Sequence, residues 1–196
     1  MVKKSLLSAC FLAFCLCSPG YSSEYRQNLI QEIEDTFAQD ILSSSEVYGN
    51  PPANKIPTDE SYNGNVSILG PRACYDESKR LGETLCYIFS KKFNKKIVIV
   101  RPFNNYGPGM NLNDKRIFPD FINNVLNNQN IKIYSSGSDK RTYCYISDAI
   151  IGYIRALLLG KASEAYNIGN KYPEISVTNL AKKIIKNTKS NVEIEF

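Results

Sequence analysis

Histidine is absent from all 196 residues, and that absence excludes a large share of enzyme chemistry. Without an imidazole there is no Ser-His-Asp triad, no Cys-His dyad and no histidine-ligated zinc. Any proton transfer rests on Tyr, Lys, Ser, Asp, Glu, Arg or Cys. The six cysteines, at positions 10, 15, 17, 74, 86 and 144, contain no Cys-x-x-Cys pair. Three crowd the first 17 residues and the others lie far apart, so buried free thiols are expected rather than a metal site or a disulfide framework. Excess charge is also scarce. The 24 Lys and Arg against 19 Asp and Glu leave a net +5, which suits an anionic small ligand and does not single out nucleic acid. No internal repeat or low-complexity segment stands out. What remains, 43% hydrophobic and 22% charged residues, is ordinary for a globular chain of one domain or slightly more.

Met1 to Ser23 supports two readings. Lys3 and Lys4, an apolar run from Leu6 to Cys17 broken only by Ser8, and then Gly20 and Ser22 follow the grammar of an export signal. The run is short for a membrane span of about 20 residues. A buried parallel strand leading into a loop is the competing reading, and it goes with a cytoplasmic location.

Beyond this, apolar periodicity predicts alternating elements. Glu24 to Ala38 has helical spacing, and Ile41-Leu42 is a strand stub before Ser43-Ser44-Ser45-Glu46. Asn50 to Gly70 reads as a long irregular loop. Tyr75 to Phe93 is helical, Lys96 to Arg101 a β-branched strand, and Pro102 to Lys115 turn-rich. Ile117 to Leu126 is helical and Ile131 to Tyr134 a strand. Ser147 to Leu159 is an amphipathic helix with Ala149, Ile150, Tyr153, Ile154 and Leu157 facing inward. A strand over Ala165 to Ile168, a helix over Val177 to Lys186 and a strand over Val192 to Phe196 complete the chain. This alternation predicts an α/β fold with a parallel sheet.

Tyr75 and Lys79 are four residues apart on a predicted helix and so share a face. A phenol titrates near 10 in water, too high for a base at neutral pH. A cation beside it stabilises the phenolate, and the pair can then exchange a proton with a sugar hydroxyl while hydride leaves the carbon. The lysine can also hold the ribose of a nicotinamide cofactor. Upstream, a hydroxyl in Ser43 to Ser45 can bond the same substrate oxygen, and Glu46 can act as a base or orient the sugar. Tyr-x-x-x-Lys alone is common in helices, so the pattern carries weight only in context.

That context is a resemblance. SSSEVYGNP (43 to 51), PRACYDESKRLGETLCY (71 to 87), RPFNNYGPGMNLNDKR (101 to 116), GSDKRTYCYISDA (137 to 149) and YNIGN (166 to 170) resemble, in order, the extended short-chain dehydrogenase/reductase family of NAD-dependent epimerases and dehydratases that act on nucleotide sugars. The resemblance implies a partial Rossmann-like parallel sheet with a small substrate-binding lobe. It implies NAD as cofactor, a UDP-sugar as substrate and no metal. It places Ser44, Tyr75 and Lys79 at the catalytic triad positions, with Glu46 as a further acid or base. Ser18, Tyr75, Lys79 and Arg101 fall at cofactor positions, and Ser45, Asn104 and Arg141 at substrate positions. Arg141 matches an arginine that pairs with the diphosphate, a role suited to a bidentate donor. Within the family, Ser45-Glu46 stands where dehydratases carry Asp-Glu. That pattern resembles the decarboxylase branch, in which oxidation at C4 makes a β-keto acid that loses CO2. The family's dimerisation through the Tyr-x-x-x-Lys helix implies a homodimer with an exposed apolar face there.

The chain also departs from the family. No Gly-x-x-Gly-x-x-Gly turn, which would seat a pyrophosphate at a helix N-terminus, occurs among its 11 glycines. The family's first strands and helices and its C-terminal arginine-bearing segment are also missing, so the sequence reads as truncated. The expected organisation is an apolar segment over 1–16, a remnant of the NAD-binding domain over 17–110, and a mostly substrate-binding lobe over 111–196 interleaved with it. Two function classes stand: an NAD-dependent nucleotide-sugar enzyme, favoured by the surviving Ser44, Glu46, Tyr75, Lys79 and Arg141, and a non-catalytic remnant without cofactor binding, favoured by the absent turn.

Overall fold

The computed structural model describes residues 40–196, with backbone alone at positions 40 and 41. The expected N-terminal segment, the helix over Glu24 to Ala38 and Ser18 lie outside the described residues. The described residues divide into two units, 40–102 with Gly152–Asn167, and Phe103–Ile151 with Ile168–Phe196. The chain passes from the first unit to the second after Pro102, returns at Gly152 and leaves again after Asn167.

The first unit is built on three strands, β1 (Asp40–Leu42), β2 (Val98–Pro102) and β7 (Ala165–Ile168), in the order β1-β2-β7. β1 and β2 run parallel, with Ile41 opposite Ile99. Val98, Ile99 and Val100 are all buried, the unbroken apolar run that a strand covered on both faces requires. Helix α1 (Ala73–Phe93) is the crossover between β1 and β2 and buries Cys86 and Phe89. It ends at Asn94 in the left-handed conformation (φ 51°), where asparagine is among the better-tolerated side chains. Between β1 and α1 a 3-10 helix, Ser45–Tyr48, is closed by Gly49. Gly49 has φ 62°, and a β-carbon there would lie 2.1 Å from the carbonyl oxygen of Asn65, so only glycine permits the bridge between these residues.

The second unit pairs β3 (Asn105–Tyr106) with β6 (Cys144–Tyr145) and β4 (Ile131–Lys132) with β9 (Ile194–Glu195), both parallel, and β5 (Lys140–Arg141) with β8 (Ile175–Ser176), antiparallel. Helices α2 (Ile117–Leu126) and α4 (Val177–Thr188) supply its core, in which Phe121, Val125, Leu180, Ala181 and Ile184 close around Ile131 and Ile133. Ser176 caps α4 by accepting from the Asn179 amide at 3.2 Å.

Helix α3 (Ile146–Leu159) forms where expected, but only part of its expected inward face, Ala149 and the half-buried Tyr153, is withdrawn from solvent. Ala149 and Ala156 are buried, whereas Ile150, Ile154 and Leu157 are exposed. The helix is apolar around most of its circumference, so periodicity does not choose a face. Small residues choose it instead. Gly160, just past the helix, lies so close to β2 that an added β-carbon would meet the Val98 side chain at 2.9 Å.

Candidate active site

The ladder between β1 and β2 continues one step past Leu42, with the Ser43 amide donating to the Val100 carbonyl at 2.8 Å. The chain then turns. Ser44, in an extended conformation, caps the 3-10 helix, and its Oγ accepts from the Glu46 amide at 3.2 Å. Accepting uses a lone pair and leaves the Ser44 hydroxyl proton for another acceptor. Ser45 and Glu46 are half-buried. Glu46 Oε2 accepts from Arg72 Nη2 at 2.7 Å.

Arg72 is the N-cap of α1, so Tyr75 and Lys79 occupy its first two turns. Tyr75 is 47% exposed. The Lys79 Nζ donates to the Leu42 carbonyl at 2.9 Å and lies 5.8 Å from the centroid of the Tyr75 ring. The expected sharing of one helix face is therefore present. The ammonium also ties that face to the carboxyl end of β1, the place where open α/β sheets bind their ligands.

Asp76, beside Tyr75, escaped the sequence reading. It is buried, its Oδ1 has no hydrogen-bond partner, and its ion-pair contact is Arg72 Nη2 at 3.9 Å. The spacing of four between Arg72 and Asp76 was its available signal. Glu83 was missed as well, though it continues the Tyr75, Lys79 series by another four residues.

Glu83 explains Arg101, which the structure gives a different task from the cofactor contact expected of it. Arg101 Nε and Nη2 donate to Glu83 Oε1 and Oε2 at 2.8 and 2.6 Å, and Nη1 donates to the Tyr48 hydroxyl at 2.6 Å and the Glu60 carbonyl at 3.0 Å. Four of the five guanidinium donors are thus used inside the first unit. Burial works against the Arg101 charge, but the Glu83 carboxylate outweighs it and holds the guanidinium more firmly protonated than usual. Burial likewise raises the Tyr48 phenol above its ordinary range, with Arg101 and Asn167 offsetting part of the effect. Ser43 Oγ completes the network by donating to Glu83 Oε1 at 2.5 Å.

In the second unit, Asn104 has φ 42°, and its amide nitrogen donates to the Thr142 carbonyl at 3.0 Å. Arg141 stands exposed on β5 opposite Ile175 of β8. It forms no ion pair among the described residues. Tyr106, Phe118, Tyr143 and Tyr145 form an aromatic cluster, with Tyr106 and Phe118 centroids 4.6 Å apart. Burial raises the Tyr143 phenol, and the Arg141 charge partly opposes it.

The profile of the NAD dependent epimerase/dehydratase family matches residues 24–169. The chain belongs to that family. Curated relatives include UDP-glucuronic acid decarboxylase 1 of Xenopus tropicalis and UDP-glucuronic acid decarboxylase 6 of Arabidopsis thaliana, each 39% identical over 156 residues. The match takes in 80% of this chain but only 36% and 44% of those proteins, so the chain spans less than half of their length. Among solved structures, the UDP-glucose 4-epimerase of Thermotoga maritima with UDP-glucose superposes at TM-score 0.71 and 21% identity, covering 85% of this chain and 53% of the epimerase. A dTDP-glucose 4,6-dehydratase of Streptomyces venezuelae with NAD bound superposes at 0.69 and 24%, covering 86% and 51%. These likenesses show a Rossmann-like fold.

The family is NAD-dependent, and the residues present fit one end of that cofactor. An exposed phenol and an ammonium fixed at the end of a parallel strand suit the ribose and nicotinamide. The pyrophosphate has no Gly-x-x-Gly-x-x-Gly turn in this sequence to receive it.

Proposed function

We propose that this family member acts on a nucleotide sugar by oxidation and re-reduction at C4, in the manner of a UDP-glucuronate decarboxylase. The observation that carries the reading is Lys79, fixed to the Leu42 carbonyl with Tyr75 on the same helix face, at the strand end from which Ser44 and Glu46 follow.

NAD, when bound, supplies the acceptor and later the donor of the C4 hydride. Tyr75 takes the C4 hydroxyl proton, and the Lys79 charge favours the phenolate so formed. Ser44 donates its free hydroxyl proton to the same sugar oxygen. With C4 a ketone, the C5 carboxylate is that of a β-keto acid and leaves as CO2, and a proton returns to carbon. Glu46, whose carboxylate accepts from Arg72, is assigned that transfer or the orienting of the sugar. Ser45, where a dehydratase carries an acid for a departing hydroxyl, supports decarboxylation over dehydration. In the second unit, Arg141 with no ion pair among the described residues, and Asn104, are assigned to the UDP-sugar diphosphate. A homodimer through α1, supported by the exposed Tyr87 on that helix, and a cytoplasmic location belong to the same proposal.

Incubation with UDP-glucuronate and NAD+, followed by NMR of the sugar anomeric protons, tests it. Appearance of a UDP-pentose that Tyr75→Phe abolishes supports the reading. Unchanged UDP-glucuronate at high enzyme favours the second reading, a non-catalytic relative, for which the missing glycine turn is the specific observation.

A further inference from the structure

We propose that the first unit docks on an anionic lipid surface through the edge made by the α1–β2 turn and the end of α3. This lies beyond the proposed reaction and does not depend on it. Hydrogen bonds bring the two segments side by side. The Ser163 amide donates to the Ile97 carbonyl at 2.8 Å, Ser163 Oγ donates to Ser90 Oγ at 2.8 Å, and Lys96 Nζ reaches the Leu157 carbonyl at 3.5 Å.

The edge is strongly basic. Residues 91–96 and 155–164 contain Lys91, Lys92, Lys95, Lys96, Arg155 and Lys161 against the single carboxylate of Glu164, a surplus equal to the net +5 of the whole chain. Lys91 and Lys92 hold their ammonium groups over the Tyr87 and Phe93 rings, at 5.6 and 5.7 Å from the centroids.

Beside these cations the last turn of α3 leaves Leu158 and Leu159 exposed at 67% and 75%, with Ile154 and Leu157 next to them. Exposed leucines within a field of lysines match the two layers of an anionic bilayer, phosphates outside and acyl chains beneath. A nucleic acid or an acidic polypeptide would satisfy the lysines and leave the leucines in water. Helix α4 supplies the contrast. Lys182, Lys183, Lys186 and Lys189 are exposed there too, but the apolar residues Leu180, Ala181 and Ile184 are turned into the core. No helix among the described residues is long and apolar enough to cross a membrane, so the docking is peripheral.

The test is cosedimentation of the full chain with vesicles of phosphatidylcholine alone or mixed with phosphatidylglycerol. Binding is expected to the mixed vesicles only, and to weaken as salt is added. Lys91→Glu with Lys96→Glu should weaken it about tenfold or more. Leu158→Ser with Leu159→Ser should weaken it as well, whereas Lys182→Glu with Lys186→Glu should leave it unchanged. All these positions are exposed, and far-UV circular dichroism checks that each variant is folded. Absence of binding, equal binding to uncharged vesicles, or an equal loss from the α4 pair overturns the proposal. So does binding that heparin displaces and that ignores the leucine substitutions, which would identify an acidic polymer as the occupant.

Discussion

Arg101 and Glu83 meet at two points, Nε to Oε1 at 2.8 Å and Nη2 to Oε2 at 2.6 Å, with both side chains mostly buried. The pair joins β2 to α1 and, through Ser43 and Tyr48, to the segment that carries Ser44 and Glu46. Removing one partner strands the other charge inside the protein. Arg101→Met or Glu83→Leu should each cost about 3–5 kcal/mol in denaturant unfolding. The double variant should cost less than either single one. Additive losses would show that the two charges do not depend on each other.

Tyr75 and Lys79 should separate stability from chemistry. The half-exposed Tyr75 hydroxyl sits at the surface of α1, so Tyr75→Phe should shift stability by no more than about 0.5 kcal/mol. Turnover of UDP-glucuronate should fall about a hundredfold or more, the loss expected of a proton-transfer group. Lys79→Met removes the bond to Leu42 as well, and so should lower both turnover and unfolding temperature. A Tyr75→Phe variant with full turnover would remove Tyr75 from the mechanism.

Alkaline pH should reveal Cys86. Burial, helped by the Glu83 charge, pushes this thiol up to about 12 from an ordinary value of 9.0. The unfolded chain then ionises at a pH where the folded one does not, so it binds fewer protons and stability falls as pH rises between those values. The slope from this group is up to about 1.4 kcal/mol per pH unit. Cys86→Val should flatten the decline relative to the parent chain. In the folded state at pH 8, a thiol reagent should modify the exposed Cys74 and spare Cys86 and Cys144.

Calorimetric titration of the chain with NAD+ should give binding weaker than micromolar, because the residues assigned to NAD, Tyr75 and Lys79, would hold only its nicotinamide end and the sequence has no Gly-x-x-Gly-x-x-Gly turn for the pyrophosphate. Micromolar affinity, about −8 kcal/mol, would show that other residues seat the pyrophosphate.

Arg141 should discriminate a UDP-sugar from a neutral sugar. A charge-assisted contact to a phosphate contributes about 1.5–3 kcal/mol, so Arg141→Ala should weaken UDP binding roughly tenfold to a hundredfold in ligand-observed NMR. Since Arg141 is exposed and without an ion pair among the described residues, the variant should unfold at the same denaturant concentration as the parent. Unchanged UDP affinity would end its assignment as the phosphate contact.

Much of this was legible in the sequence, and the exceptions share a cause. α2 and β7 have the expected bounds, Ile117–Leu126 and Ala165–Ile168, because each is a clean apolar pattern between turn residues. The pairing of Tyr75 with Lys79 followed from spacing alone. The face of α3 did not, since isoleucines and leucines surround it and the deciding contact is made by glycine and alanine. Arg101 was assigned outward from its motif, although its partner Glu83 lies 18 residues earlier and only the crossover of α1 brings the two together. Asp76 was passed over because burial of a carboxylate is a tertiary fact that a local pattern of charges does not announce.

The irregular excursion between Gly49 and Gly64 is clasped at its base by Arg80. Arg80 Nη1 donates to the carbonyls of both Val47 and Asn63, at 2.9 and 2.8 Å. Gly64, at φ 89°, comes so near that a β-carbon would lie 2.6 Å from the Val47 oxygen and 3.0 Å from that same Nη1. Gly49 closes the other end against Asn65. No one of these three positions has room to drift independently, because a side chain at Gly64 displaces the Val47 carbonyl that the guanidinium holds and one at Gly49 displaces the carbonyl of Asn65, the residue next to Gly64. Across descendants of this gene, Gly49, Gly64 and Arg80 should therefore behave as a single inherited character, kept together or lost together, while the residues of the excursion between them diverge.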